Sequence, residues 1–127
     1  MVKSGLIANT DVSHFRLSAH LLGAQIILSL LFFSILFMNV KKIYFNFYSY
    51  LILSFLIIIF FQIAIGAFVS GLDAAKIYQT WPLMNGNFVP EDVFIKEFSN
   101  SDSYSSPSHV QFLHRIIAYF IILIFSF

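Results

Sequence analysis

Leu21-Leu22-Gly23-Ala24-Gln25-Ile26-Ile27-Leu28-Ser29-Leu30-Leu31-Phe32-Phe33-Ser34-Ile35-Leu36-Phe37-Met38 is an apolar run broken only by Gly23, Gln25, Ser29 and Ser34, none of them charged. As a helix rising ~1.5 Å per residue it measures roughly 27 Å, close to the ~30 Å hydrocarbon core of a bilayer. Extended back to Arg16, it predicts a first transmembrane helix over 16–38. A second apolar run predicts a helix over 48–71, centred on Leu56–Phe61. Tyr44, Tyr48 and Tyr50 lie at its start, where interfacial aromatics belong. A third helix is expected over 109–127. From Val110 to Phe127 it is again roughly 27 Å long, and with no flanking cation or polar tail it reads as cut off.

The whole composition agrees. The 127 residues are 59% hydrophobic and 10% charged, with 17 Phe and a mean hydropathy of +0.86. A soluble domain of this size has too little interior to hide that much Leu, Ile and Phe. The fold class is therefore an all-α membrane protein with three transmembrane helices. A net charge of +1 with scattered cations leaves no electrostatic footprint for nucleic acid. The absence of cysteine rules out disulfides, thiolate metal sites and iron–sulfur clusters. Met1–His20 has no apolar core of a cleavable signal peptide.

Lysine and arginine in short loops stay cytoplasmic, so the 39–47 link, with Lys41 and Lys42 and no acid, is expected inside. The 72–108 segment carries Asp73, Glu91, Asp92, Glu97 and Asp102 against Lys76 and Lys96 and is expected outside, together with residues 1–15. The first and third helices then both run inward, which puts His20 and His114 at similar depth near the outer face. Within 72–108, Ile77–Pro90 mixes Tyr78, Trp81, Pro82, Met84, Asn85 and Gly86, which suits a turn-rich segment packed on the membrane surface. Asn100–Ser108 reads as a Ser-rich linker with little to bury.

Ionisable side chains in membrane helices are costly unless paired, hydrated or metal-bound, so each is a functional candidate. The candidates are Arg16, His20, His114 and Arg115; Gln62 is the strongly polar interior residue of the second helix. His20 follows Arg16 by four residues and shares its face, while Arg115 adjoins His114 and Gln111 precedes it by three. Neutral imidazole is a good axial ligand for heme iron, and arginine can pair with a heme propionate. A lone histidine near a helix end is as often a wet interface residue. Two at matching depth, each with an arginine beside it, favour a cofactor. His14 and His109, at the helix edges, are expected to be solvated. Gly66, Ala67, Ser70 and Gly71 suit close helix packing.

The run Gly66-Ala67-Phe68-Val69-Ser70-Gly71-Leu72-Asp73-Ala74-Ala75, followed by Tyr78-Gln79-Thr80-Trp81-Pro82-Leu83-Met84-Asn85-Gly86, resembles the fifth helix and following outer loop of heme A synthases. Val110-Gln111-Phe112-Leu113-His114-Arg115 with Ala118-Tyr119 looks like that family's sixth-helix histidine motif, and Arg16-Leu17-Ser18-Ala19-His20-Leu21 like the fourth-helix one. Met1-Val2-Lys3-Ser4-Gly5-Leu6 resembles the loop before it. The outer loop lacks a cysteine pair and in this is similar to the branch of alphaproteobacteria and mitochondria.

The resemblance implies an eight-helix bundle in two similar halves, of which this chain would be helices four to six, an internal fragment from a truncated or split gene. It implies oxidation of the heme O ring methyl to a formyl, giving heme A for cytochrome c oxidase, with heme b as a further cofactor. Carried over by motif, His20 and His114 would be axial ligands of heme iron, one in each half, with Arg16 and Arg115 beside the cofactors. Their partner histidines, and an acidic residue tied to the oxidation, would lie on helices absent here, so the fragment would be inactive alone. The implied setting is a bacterial inner membrane, multi-pass, with a periplasmic outer loop. The implied partners are the missing parts of the synthase and cytochrome oxidase assembly factors. A second reading, from the residues alone, is a non-catalytic heme-binding or electron-transfer subunit with His20 and His114 on one shared heme.

Overall fold

In a computed structural model of the chain, the described residues are 13–39, 42, 44–95 and 104–126. The Met1–Leu6 motif and Lys41 lie outside them. Three helices are long and apolar enough to cross a membrane: α1 (His14–Asn39), α2 (Phe47–Gly71) and, after the short α3 (Glu91–Ile95), α4 (Pro107–Phe125).

Local chemistry sets the helix ends. Asn46 caps α2 by accepting from the Ser49 N–H at 3.0 Å, and Ser49 Oγ accepts from the Asn46 N–H at 3.3 Å, a reciprocal box that satisfies two otherwise orphaned donors. At its other end the Leu72 N–H returns to the Phe68 carbonyl at 2.9 Å. Pro107 opens α4 at a position whose N–H no helix would use.

The middle of the fold is α2. Ser18 Oγ of α1 donates to the Ala64 carbonyl at 3.3 Å, and a Cβ added to Gly71 would stand 2.8 Å from His14 Cα. On the other side, Gly66 lies against the His114 ring, and Phe55 stacks with Phe125 at 6.4 Å. Both neighbours therefore run antiparallel to α2. At 100° per residue, Ala64 and Gly71 point roughly 170° away from Gln62 and Gly66. So α1 and α4 occupy opposite faces of α2, and they make no comparable packing with one another among the described residues. Most of the large apolar side chains of α1 and of the N-terminal half of α2 are exposed, as acyl chains would solvate them.

The segment after α2 turns through Asp73 in the left-handed region and a 3-10 turn, Ala74–Lys76. It then folds onto the start of α4. Asn85 and Gly86, both at positive φ, close a tight turn in which Met84 and Asn87 exchange backbone bonds of 2.8 and 3.2 Å. Met84, Val93 and Phe112 form a small core edged by Tyr78, Val89 and Ile116.

This packing corrects three expectations. His109 is 2% exposed rather than solvated, because the loop covers the first turns of α4. His14 is only partly solvated: α1 begins early enough to lay its ring edge-on to Phe68 at 5.3 Å, with Nε2 buried. Ser106 and Ser108, read as linker, are buried where the chain enters α4.

The Gly71 contact is testable. Gly71→Val forces a side chain into the His14 backbone, and overpacking of this kind costs about 1–3 kcal/mol. The thermal midpoint in detergent is expected to fall by several degrees, whereas Gly23→Val, where an added Cβ meets nothing within 4 Å, leaves it unchanged.

Candidate functional site

The helical register places the two candidate histidines at one level. Ser18 meets Ala64, so His20, two residues further along the antiparallel α1, lies near the level of Gln62 and Ile63. His114 meets Gln62 and Gly66 from the other side. The structure thus brings both histidines to the same height along α2, on the two helices that pack against its opposite faces.

His114 is held on three sides. The Cε1 edge of its ring abuts Gly66, where an added Cβ would be 3.1 Å from Cε1 and 3.6 Å from Nδ1. Gln62 Nε2 donates to the His114 carbonyl oxygen at 3.1 Å and lies 3.3 Å from His114 Nε2. His114 Nδ1 and Gln62 Oε1 are buried with no hydrogen-bond partner among the described residues. Leaving such groups unpaired costs about 1–3 kcal/mol each. Among the described residues no group of three or more His, Asp or Glu could hold a bare metal ion.

His20 is different. It and Arg16 are both exposed on α1, one turn apart on a shared face, open to whatever packs there.

Arg115 turns away from His114 toward the outer loop. Its Nη2 donates to the Tyr78 carbonyl and its Nη1 to the Thr80 carbonyl, both at 2.7 Å. Gln111, one turn earlier, accepts from the Tyr78 N–H at 3.2 Å and donates to its carbonyl at 2.8 Å. Tyr119, one turn later, donates to the Pro82 carbonyl at 3.1 Å. Residues 111, 115 and 119 thus hold the carbonyls of 78, 80 and 82. The Arg115 guanidinium has five N–H donors, and its two bonds occupy two of its nitrogens.

Tyr78 also donates to Asp92 Oδ1 at 2.6 Å. Burial, with help from that carboxylate, raises its phenol above the ordinary value, so the bond is kept through neutral pH.

Sequence reasoning singled out His20, His114, Arg16 and Arg115. It noted Gln62 and Gln111 only as polar neighbours and missed Thr80 and Tyr119 as partners. The one available signal was the four-residue recurrence of Gln111, Arg115 and Tyr119.

Residues 1–127 match the family model COX15-CtaA, described as a cytochrome oxidase assembly protein. The chain is 48% identical over 131 residues to a heme A synthase of Pelagibacter ubique (strain HTCC1062), covering 100% of this chain and 39% of that protein. It is 41% identical to one from Wolbachia pipientis subsp. Culex pipiens, over 98% of this chain and 39% of the relative. It is 42% identical to one from Rickettsia bellii (strain OSU 85-389), over 94% and 37%. The chain thus spans about two-fifths of the length of these curated relatives. No solved structure matches it.

Arg115→Ala removes both charged hydrogen bonds to the loop, each of a kind worth about 1.5–3 kcal/mol. Counting only the bond to the Tyr78 carbonyl, hydrogen exchange at the Tyr78 amide is expected to speed up roughly 10- to 100-fold. Arg115→Lys, which keeps the charge but not the fork, should fall between. Unchanged exchange in Arg115→Ala would show that the loop is held elsewhere.

Proposed function

The chain belongs to the COX15-CtaA family of cytochrome oxidase assembly proteins, and on that basis we propose that it is the central part of a heme A synthase, carrying one axial histidine for each of two hemes. The reaction of the assembled protein is the oxidation of the heme O ring methyl to a formyl, giving heme A for cytochrome c oxidase.

The observation that carries this reading is the placement of His20 and His114 at one level, on the two helices that pack against opposite faces of α2. Packed helices lie about 8–10 Å apart, so α1 and α4 have axes roughly 16–20 Å apart with α2 between them. A single iron shared by both imidazoles is hard to fit across that gap. This disfavours the reading as an electron-transfer subunit with one common heme and supports two sites related by the central helix.

The residues fit the group they would hold. His114 brings an imidazole held by Gly66 and Gln62. His20 brings an exposed one, with Arg16 a turn nearer the outer face to pair with a propionate. Arg115 both ties down the loop and keeps donors for an anionic substituent. Heme, when bound, supplies the redox chemistry. The chain's own residues would orient the His114 ring, hold the outer loop over α4 and neutralise carboxylates. Because the chain offers each iron one such histidine, we place the complete reaction in an assembly with further helices, within a bacterial inner membrane and with residues 72–108 on the periplasmic side. Other partners would be oxidase assembly factors.

The test is to express the chain with its flanking coding sequence, then measure bound heme by absorbance and heme A by chromatography. His20→Ala and His114→Ala are each expected to remove about half of the bound heme and to reduce heme A to background. Loss of all heme from either single variant would favour a shared heme, and a heme-free wild-type assembly would overturn the proposal.

A further inference from the structure

We propose that Gln62 is the positioning residue that keeps the His114 imidazole in its Nδ1–H tautomer, with the Nε2 lone pair ready for axial ligation. The ligation part rests on the heme reading above; the tautomer part stands on geometry alone.

The amide is oriented by the backbone. His114 O can only accept, and one end of the Gln62 amide lies 3.1 Å from it. An oxygen there would repel the carbonyl, so that end is the NH2. The same nitrogen lies 3.3 Å from His114 Nε2. An amide NH2 only donates, so in the neutral ring Nε2 accepts and the proton resides on Nδ1. Among the described residues, no other hydrogen bond distinguishes the two ring nitrogens, since Nδ1 is buried without a partner. Gly66 supplies the second restraint: with Cε1 only 3.1 Å from where a Cβ would stand, any side chain there would push on the Cε1 edge of the ring and move it off Gln62. Gln62 and Gly66 are four residues apart on one face of α2, so a single helical turn sets both ring position and tautomer. With heme held by His114, Gln62 would give up its contact with Nε2 and keep its bond to the His114 carbonyl.

The tautomer is read directly by ¹⁵N NMR of histidine-labelled, heme-free chain in detergent. The His114 signals are assigned by their loss in His114→Ala. The wild type is expected to show a protonated Nδ1 and an unprotonated Nε2. Gln62→Leu and Gln62→Met, of similar size but without a donor, should shift His114 toward the Nε2–H form while the other three histidines keep their signals and report an intact fold. A wild-type His114 protonated on Nε2, or variants indistinguishable from wild type, would overturn the proposal.

Hemin titration followed by absorbance separates the two levels. If the ligation-ready fraction falls to about a fifth, apparent affinity at His114 falls about fivefold. Equal affinity in wild type and Gln62→Leu would sink the positioning role alone, whereas hemin that does not bind through His114 would sink the heme reading and the ligand role with it.

Discussion

Close approach on two opposite faces of one helix is the constraint on which this structure depends. Lipid tails are as apolar as leucine, so transmembrane helices gain nothing by hiding leucine from them and associate through tight packing and polar contacts. In α2 both are present, segregated by face. Ala64 and Gly71 receive α1 through the Ser18 hydroxyl and the His14 backbone, while Gly66 and Gln62 receive α4 through His114. The rest of α2 is nearly featureless Leu, Ile and Phe. Without those few small and polar residues near one end, nothing would set the height at which the two histidines arrive.

The helices were legible in the sequence because hydropathy is a bulk property: an uncharged run such as Leu21–Met38 has one stable solution in lipid. The family was legible for a different reason, in that residues 66–86 and 110–119 carry a specific pattern that periodicity alone would not reveal. What could not be read were contacts between side chains and backbone. Nothing in the hydropathy of Ile77–Pro90 says that its carbonyls will be taken by Gln111, Arg115 and Tyr119, so the segment was assigned to the membrane surface in general rather than to α4. The burial of His109 follows from the same omission. His114 could be named from its motif, but the contacts with Gly66 and the amide of Gln62 needed the register of α2 against α4.

The two histidines also differ in preparation. His114 is enclosed by its own chain and restrained by it. His20 and Arg16 stand on the open face of α1 and take their surroundings from elsewhere. Of the two, the surroundings of His114 are the more nearly built within this chain.

The seam between the outer loop and α4 is fastened to the loop's backbone rather than to its side chains: Gln111, Arg115 and Tyr119 take the carbonyls of residues 78, 80 and 82. A backbone carbonyl is the same acceptor whatever side chain its residue carries. A one-residue insertion between Tyr78 and Pro82 would displace the later carbonyls from their donors, so this stretch should tolerate substitution far better than any change in length.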